Sequence, residues 1–218
     1  MGYSIAIDGP AGAGKSTIAR LVAKEKGFIY VDTGAMYRGL AVHFLKKGIQ
    51  PEDTEKIKEA CRDAQVSIGY EEGQQQVYLN GENITSQLRR EEVGNMASKS
   101  SAIPEVREKL LSLQRDLARR QNVVMYGLDI GTCVLPDADV KVYLTASSRT
   151  RAKRRYDELT ARGVPCDLEQ IEQDIIERDS RDMNREISPL RQAEDAVLVD
   201  SSDMTIRQVA DTILGLCR

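Results

Sequence analysis

The stretch Gly9-Pro10-Ala11-Gly12-Ala13-Gly14-Lys15-Ser16 constrains this chain more than any other. It reads G-x-x-x-x-G-K-[ST], a pattern whose residue types answer to a polyphosphate. Glycines let successive backbone N–H groups turn inward, where side chains would block the approach. The start of the following helix adds its own unsatisfied N–H groups. Lys15 supplies a point charge, and the Ser16 hydroxyl suits a hard cation, Mg²⁺. The flanks agree. Residues 3–8 form a short apolar run suited to a buried strand, and residues 16–23 space their apolar side chains as a helix does.

A strand, loop and helix in that order open an α/β rhythm that continues along the chain. Residues 28–31 predict a second strand. Thr33-Gly34 then opens a helix through about Lys47, and residues 52–64 predict another. Asn122–Tyr126, Val140–Leu144 and Ala196–Val199 complete five core strands. Helices are expected over 87–100, from Pro104 with an apolar stripe Val106, Leu110, Leu113 and Leu117, and at the end, burying Ile206, Val209, Ile213 and Leu216. Strands alternating with helices predict a parallel five-stranded sheet covered by helices on both faces. One stretch breaks the rhythm. Residues 66–70 and 75–79 alternate, and Asn80-Gly81 is a strong hairpin signal with a possible return at 83–85. A small antiparallel insert is expected there, as a mobile subdomain.

Length and charge narrow the function. The 218 residues suit one domain with a small insert. A net charge of −3 argues against a broad nucleic-acid surface. Cys61, Cys133, Cys166 and Cys217 have no metal-type spacing and read as free thiols. No run approaches membrane-spanning length, and the Met1–Gly2 start lacks the residue a myristoylation signal needs. The expectation is a cytoplasmic monomer with no membrane or nucleic-acid partner. His43, the only histidine, reads as an ordinary helix residue.

Basic residues concentrate in the second half. Arg149, Arg151, Arg154, Arg155 and Arg162 precede Gly163-Val164-Pro165. Arg151, Arg154 and Arg155 are expected on one helix face, either as a closing lid over a transferring phosphoryl group or as a solvated basic face. In the next helix Asp167 and Gln170 suggest a capping box. Leu168, Ile171, Ile175, Arg178, Asp182 and Arg185 then form one stripe that begins apolar and ends charged. Such a stripe either grips anions or is a structural ion-pair ladder.

The segments IAIDGPAGAGKST, YVDTGAMYR, VREKLLSLQR, DIGTCVLPDADVKVYL, RDSRDMNREISPL and DAVLVDSS run nearly end to end, and together they resemble the bacterial cytidylate kinases among the nucleoside monophosphate kinases. The resemblance implies one domain over 1–218, a monophosphate-binding insert at 63–95 and a short basic lid at 149–166. It implies transfer of the γ-phosphoryl group of ATP to CMP or dCMP, in pyrimidine nucleotide metabolism. Gly9, Pro10, Ala11, Gly12, Ala13, Gly14, Lys15, Ser16, Thr17 and Arg155 would bind ATP, with Ser16 on Mg²⁺. Thr33, Tyr37, Arg38, Ser98, Arg107, Asp129, Arg178, Asp182 and Arg185 would bind CMP. Lys15, Arg154, Arg178 and Arg185 would serve the transfer itself.

One departure stands out. The family pattern before Asp129 is an acidic residue, Gly and Arg, where this chain has Tyr126-Gly127-Leu128. Neither replacement has an evident folding reason in the sequence. The alternative reading is therefore a nucleotide-binding protein of the same fold with impaired turnover. A GTPase switch fits less well, since no NKxD motif occurs. A kinase of an unphosphorylated metabolite fits less well with so many arginines.

Overall fold

The computed structural model describes residues 2–217. The chain divides into two compact units, one of Val31–Arg120 and one of Gly2–Tyr30 together with the chain from Gln121 onward. Met1 and Arg218, which bound the expected single domain, lie outside the described residues.

The second unit carries the parallel sheet. Its strands are β1 (Ser4–Asp8), β2 (Ile29–Asp32), β6 (Val123–Tyr126), β7 (Val140–Thr145) and β8 (Val197–Asp200), in the order β2-β6-β1-β7-β8. β1 runs parallel to both neighbours, with Ile7 opposite Tyr126 and Val142. β2 enters it through Ile29, whose N–H donates to the Asn122 carbonyl, and its last two residues open the other unit. Short strands buried on both faces need continuous apolar runs, which is why these segments read so clearly. Ile5, Ile7, Val124, Val142 and Leu144 point to one face. There they pack with Ile18, Ala19 and Val22 of α1 (Lys15–Lys26) and with Val209, Ala210 and Ile213 of α8 (Ile206–Leu216). Ala6 and Met125, on the opposite face, are fully buried as well.

The end of α8 departs from expectation. Ile206 is 56% exposed rather than buried. It follows Thr205, which caps the helix in a reciprocal box with Gln208, so its position is set by the cap and not by the apolar stripe. α6 (Ser148–Ala161) and α7 (Leu168–Asn184) pack against each other in this unit. Asp167 accepts from the Gln170 N–H at 2.8 Å, but the Gln170 side chain donates forward to Asp174, so only half of the expected box forms.

The first unit holds α2 (Thr33–Lys46), α3 (Thr54–Asp63), the antiparallel strands β3 (Val66–Glu71), β4 (Gln74–Leu79) and β5 (Glu82–Asn83), then α4 (Glu91–Ser100) and α5 (Pro104–Arg120). Asn80 and Gly81 both take positive φ, 50° and 84°, as the two-residue turn requires. Glu72 and Gly73 make a second turn of the same kind, with φ of 50° and 73°. α2 packs on α4, α5 and the hairpin. α4 starts later than the expected 87, because a short tight turn, Thr85–Gln87, comes first. The buried line of α5 is Val106, Leu110, Gln114 and Ala118, a strict four-residue spacing that leaves Leu113 and Leu117 at its margin. His43 is buried within α2, 3.3 Å from Asp63. All four cysteines are free thiols.

Candidate active site

The Gly9–Ser16 loop joins β1 to α1. Gly9 takes φ +145°, and a Cβ there would lie 1.9 Å from the Leu144 carbonyl oxygen, so only glycine fits. α1 begins at Gly14, in the left-handed region, with no side-chain cap and no acidic residue in its first turn. No side chain of the cap therefore answers the positive end of the helix, the end that favours an anion. Lys15 folds back over the loop and donates to the carbonyls of Gly9 (2.5 Å) and Pro10 (2.8 Å).

Asp8, at the end of β1, is only 4% exposed. Its two oxygens accept the N–H groups of Ile130 (2.6 Å) and Gly131 (2.7 Å). Burial pushes its pKa up to about 6, against the pull of those two N–H groups; nearby Asp129 raises it further and Lys15 lowers it. Asp8 thereby fixes the wide helical turn Ile130–Val134 that follows Asp129. Asp129 is buried, and its own carbonyl accepts from Cys133 and Val134 within that turn. Tyr126 is 6% exposed and belongs to the apolar core, so its bulk does have a folding role that the sequence does not reveal. Leu128 is half-buried.

The arginines of α6 do not share one role. Arg151 is 5% exposed, and its guanidinium is held by Asp179 of α7, correcting the expected common basic face. Arg154 donates to the Ser201 carbonyl at 2.8 Å and to its hydroxyl at 3.3 Å. Arg155 is exposed and pairs with Glu158 one turn on, as Arg149 pairs with Glu172. α6 thus carries more acidic partners than the run of arginines suggests.

On α7 the stripe is only partly turned inward: Leu168, Ile171 and Ile175 are half-buried, and Arg178 is exposed. Asp182 is buried, Arg178 reaches it with Nε 3.8 Å from Oδ2, and Arg185 ends the helix with its Nε donating to the Ser188 carbonyl at 2.5 Å. Ser188 takes φ +48° to present that carbonyl. Burial raises the Asp182 pKa, while Arg178 and then Arg185 pull it down.

In the first unit, α2 starts at buried Thr33. Asp32 caps it, accepting from the Ala35 N–H at 2.9 Å, and also accepts from Arg38 at 3.2 Å. The Arg107 guanidinium on α5 lies 5.8 Å over the Tyr37 ring and donates to the Ser101 carbonyl. Ser98 is an exposed residue of α4. Tyr37 with Arg107, and Arg38 with Asp32, are thus brought together; no contact joins Ser98 to them among the contacts described. The sequence reading missed Asp8, Asp32, Asp179 and Ser201. Asp8 and Asp32 leave a signal, an Asp closing a buried strand. Asp179 and Ser201 leave none, because their partners are 28 and 47 residues away.

A parallel sheet with a glycine loop and an uncapped helix at the end of β1, and a lysine curled over that loop, defines a phosphate-loop α/β protein. The chain belongs to the cytidylate kinase family, whose model, described as "Cytidylate kinase", matches residues 5–218. It is 48% identical to the cytidylate kinase of Caldicellulosiruptor saccharolyticus over 213 residues, covering 98% of this chain and 94% of that relative. It is 47% identical to that of Ligilactobacillus salivarius, covering 97% and 95%. In fold it is similar to an uncharacterized protein from Eubacterium ventriosum, with a TM-score of 0.53 at 14% identity, covering 99% of this chain and 97% of that one.

Proposed function

We propose that this chain transfers the γ-phosphoryl group of ATP to CMP or dCMP, giving ADP and CDP or dCDP. The observation that carries the reading is the uncapped start of α1 behind the Gly9–Ser16 loop, in a chain alike to cytidylate kinases over nearly its whole length. Backbone N–H groups of the loop and Lys15 hold the ATP phosphates. Thr17 and Arg155 complete the ATP contacts. Thr33, Tyr37, Arg38, Ser98, Arg107, Asp129 and Asp182 receive CMP, with Asp129 accepting from the cytosine amino group and Asp182 from a sugar hydroxyl. Arg154, Arg178 and Arg185 stabilise the charge spread over the transferring group. Positioning and charge suffice, and no general base is required.

Mg²⁺ fits the donor set at Ser16. Ser16 would supply the hydroxyl ligand, and substrate phosphates and water the remaining oxygens. When bound, the ion neutralises phosphate charge. Residues 63–95 act as the monophosphate-binding insert and 149–166 as the lid. The protein works as a cytoplasmic monomer in pyrimidine nucleotide metabolism.

ATP-dependent phosphorylation across a panel of nucleoside monophosphates tests the reading: CMP and dCMP should lead, and equal rates with AMP or none with CMP would refute it. Leu128 places no charge beside Asp129. Leu128→Arg is expected to raise CMP phosphorylation by about tenfold or more, since a bidentate cation on the acceptor phosphate, beside the transferring group, is worth at least that. No gain would assign the acceptor phosphate to Arg38 or Arg185.

A further inference from the structure

Arg151 was not expected to be inside the protein. Its guanidinium donates from Nε to the Ala146 carbonyl at 2.9 Å, from Nη1 to the Ala11 carbonyl at 3.0 Å, and from both Nη atoms to the Asp179 carboxylate at 3.1 and 2.5 Å. Four of the five N–H donors of an arginine are thus engaged. Asp179 balances the charge, and its side chain is also largely covered. An arginine so saturated has little left for an incoming phosphate. What it touches is the loop that binds one.

Ala11 lies inside the phosphate loop, and its peptide with Gly12 is trans. In a trans peptide the C=O and the next N–H point to opposite sides. Anchoring the Ala11 carbonyl on Arg151 therefore turns the Gly12 N–H away from the guanidinium. The Arg151 stem also lies along Gly12: a Cβ on Gly12 would come 3.4 Å from the Arg151 Cβ. Gly12 takes φ +79°, so this peptide has a freedom that only outside contacts remove. Asp179 in turn fixes the guanidinium from α7, the helix that carries Arg178 and Asp182.

We infer that Arg151 is a positioning residue for the ATP site, in which the buried Arg151–Asp179 pair sets the Ala11–Gly12 peptide so that the loop meets the ATP phosphates already formed. The inference rests on the reading of the Gly9–Ser16 loop as the ATP site. Neither side chain contacts substrate; both act through the loop.

The test is calorimetric binding of ATP and, separately, of CMP to the full chain and to Arg151→Met. Because that variant strands a buried carboxylate, Arg151→Met/Asp179→Asn is measured beside it; removing both charges keeps the fold more readily than removing one. ATP dissociation constants should rise about ten- to a hundredfold in both, the range for losing a charge-assisted bond. CMP affinity should stay within about twofold and unfolding should remain cooperative. ATP affinity unchanged in the double variant overturns the inference, and so does an equal loss of ATP and CMP affinity, which marks a merely structural pair. If the unaltered chain binds ATP but phosphorylates no CMP, the proposed function fails while the inference is still judged by the ATP ratio. If the unaltered chain binds no ATP, both are overturned.

Discussion

α1 and α2 each follow the carboxyl end of a strand, and they begin differently. α1 starts on Gly14 with no side-chain cap and no acid in its first turn. α2 starts on Asp32, which already takes the Ala35 N–H and holds Arg38. The same backbone dipole is thus open at one start and answered at the other. The first start presents main-chain groups, and the second presents side chains, Arg38 among them. The difference explains why the first reads as a glycine motif and the second as scattered Thr, Tyr and Arg.

The comparison can be broken most severely by capping α1. Gly14→Asp puts a carboxylate where the phosphates would lie; a Cβ there meets nothing within 4 Å, and the strain of φ +93° falls on the loop that the variant is meant to disturb. ATP affinity should fall by more than about a hundredfold, as like charges at close range cost several kcal/mol. Calorimetric titration with ATP reads this, and binding within a few fold of the unaltered chain would show that the helix start is not the phosphate site.

A smaller effect separates site from scaffold on α7. Burial raises the Asp182 pKa, so its ionised form is held at a cost above the ordinary carboxylate range. Asp182→Asn removes that charge, and at pH 7 the melting temperature should hold or rise. The preference between CMP and dCMP should shift by about tenfold, the worth of one hydrogen bond. Equal losses for both acceptors would count against sugar recognition at this position.

Opening α2 is expected to do less. Asp32→Ala deletes an N-cap and should lower stability by about 1 kcal/mol in urea unfolding. It also releases Arg38, so the KM for CMP should move while that for ATP does not. A changed ATP KM would mean the two helix starts are coupled.

The last prediction is a pH dependence. Asp8 has its folded pKa raised to about 6 from 3.8. Between those values the folded protein holds a proton that the unfolded chain releases. The stabilisation is full below pH 3.8 and is lost as pH rises through 6. Asp8→Asn cannot titrate, so its stability relative to the unaltered chain should improve between pH 4 and 7, by about 1–3 kcal/mol. The awkward fit of the new amide against the Ile130 and Gly131 N–H groups shifts the baseline and not the slope. A flat difference across that range would show that Asp8 titrates as an exposed carboxylate.

Much of this was legible without a fold. Tyr3–Asp8 announces a buried strand because Ile5, Ala6 and Ile7 run apolar without a break, and the glycine loop announces phosphate because only backbone can approach so closely. The Asn80-Gly81 turn was readable because its residues favour positive φ; Glu72-Gly73 adopts the same turn and was not, since Glu gives no such hint. Helix stripes were right to within a residue or two, failing at Leu113, Leu117 and Ile206, where a neighbour at four-residue spacing or a cap decided which side faced in.

The arginines mark where sequence stopped. Arg151, Arg154 and Arg155 are alike as letters, yet one is buried on Asp179 and Ala11, one is tied to Ser201, and one sits in solvent beside Glu158. Local spacing fixes what lies three or four residues away. Beyond the Ala146 carbonyl five residues back, the partners of Arg151 lie 28 and 140 residues away, so its burial is set by how α6, α7 and the phosphate loop pack. The sequence by itself pointed to phosphate as the ligand and to the start of α1 as its place. Only the tertiary structure decided which cations are spent holding the loop and which remain for the substrate, because a charge enters the interior only where distant groups converge to answer it.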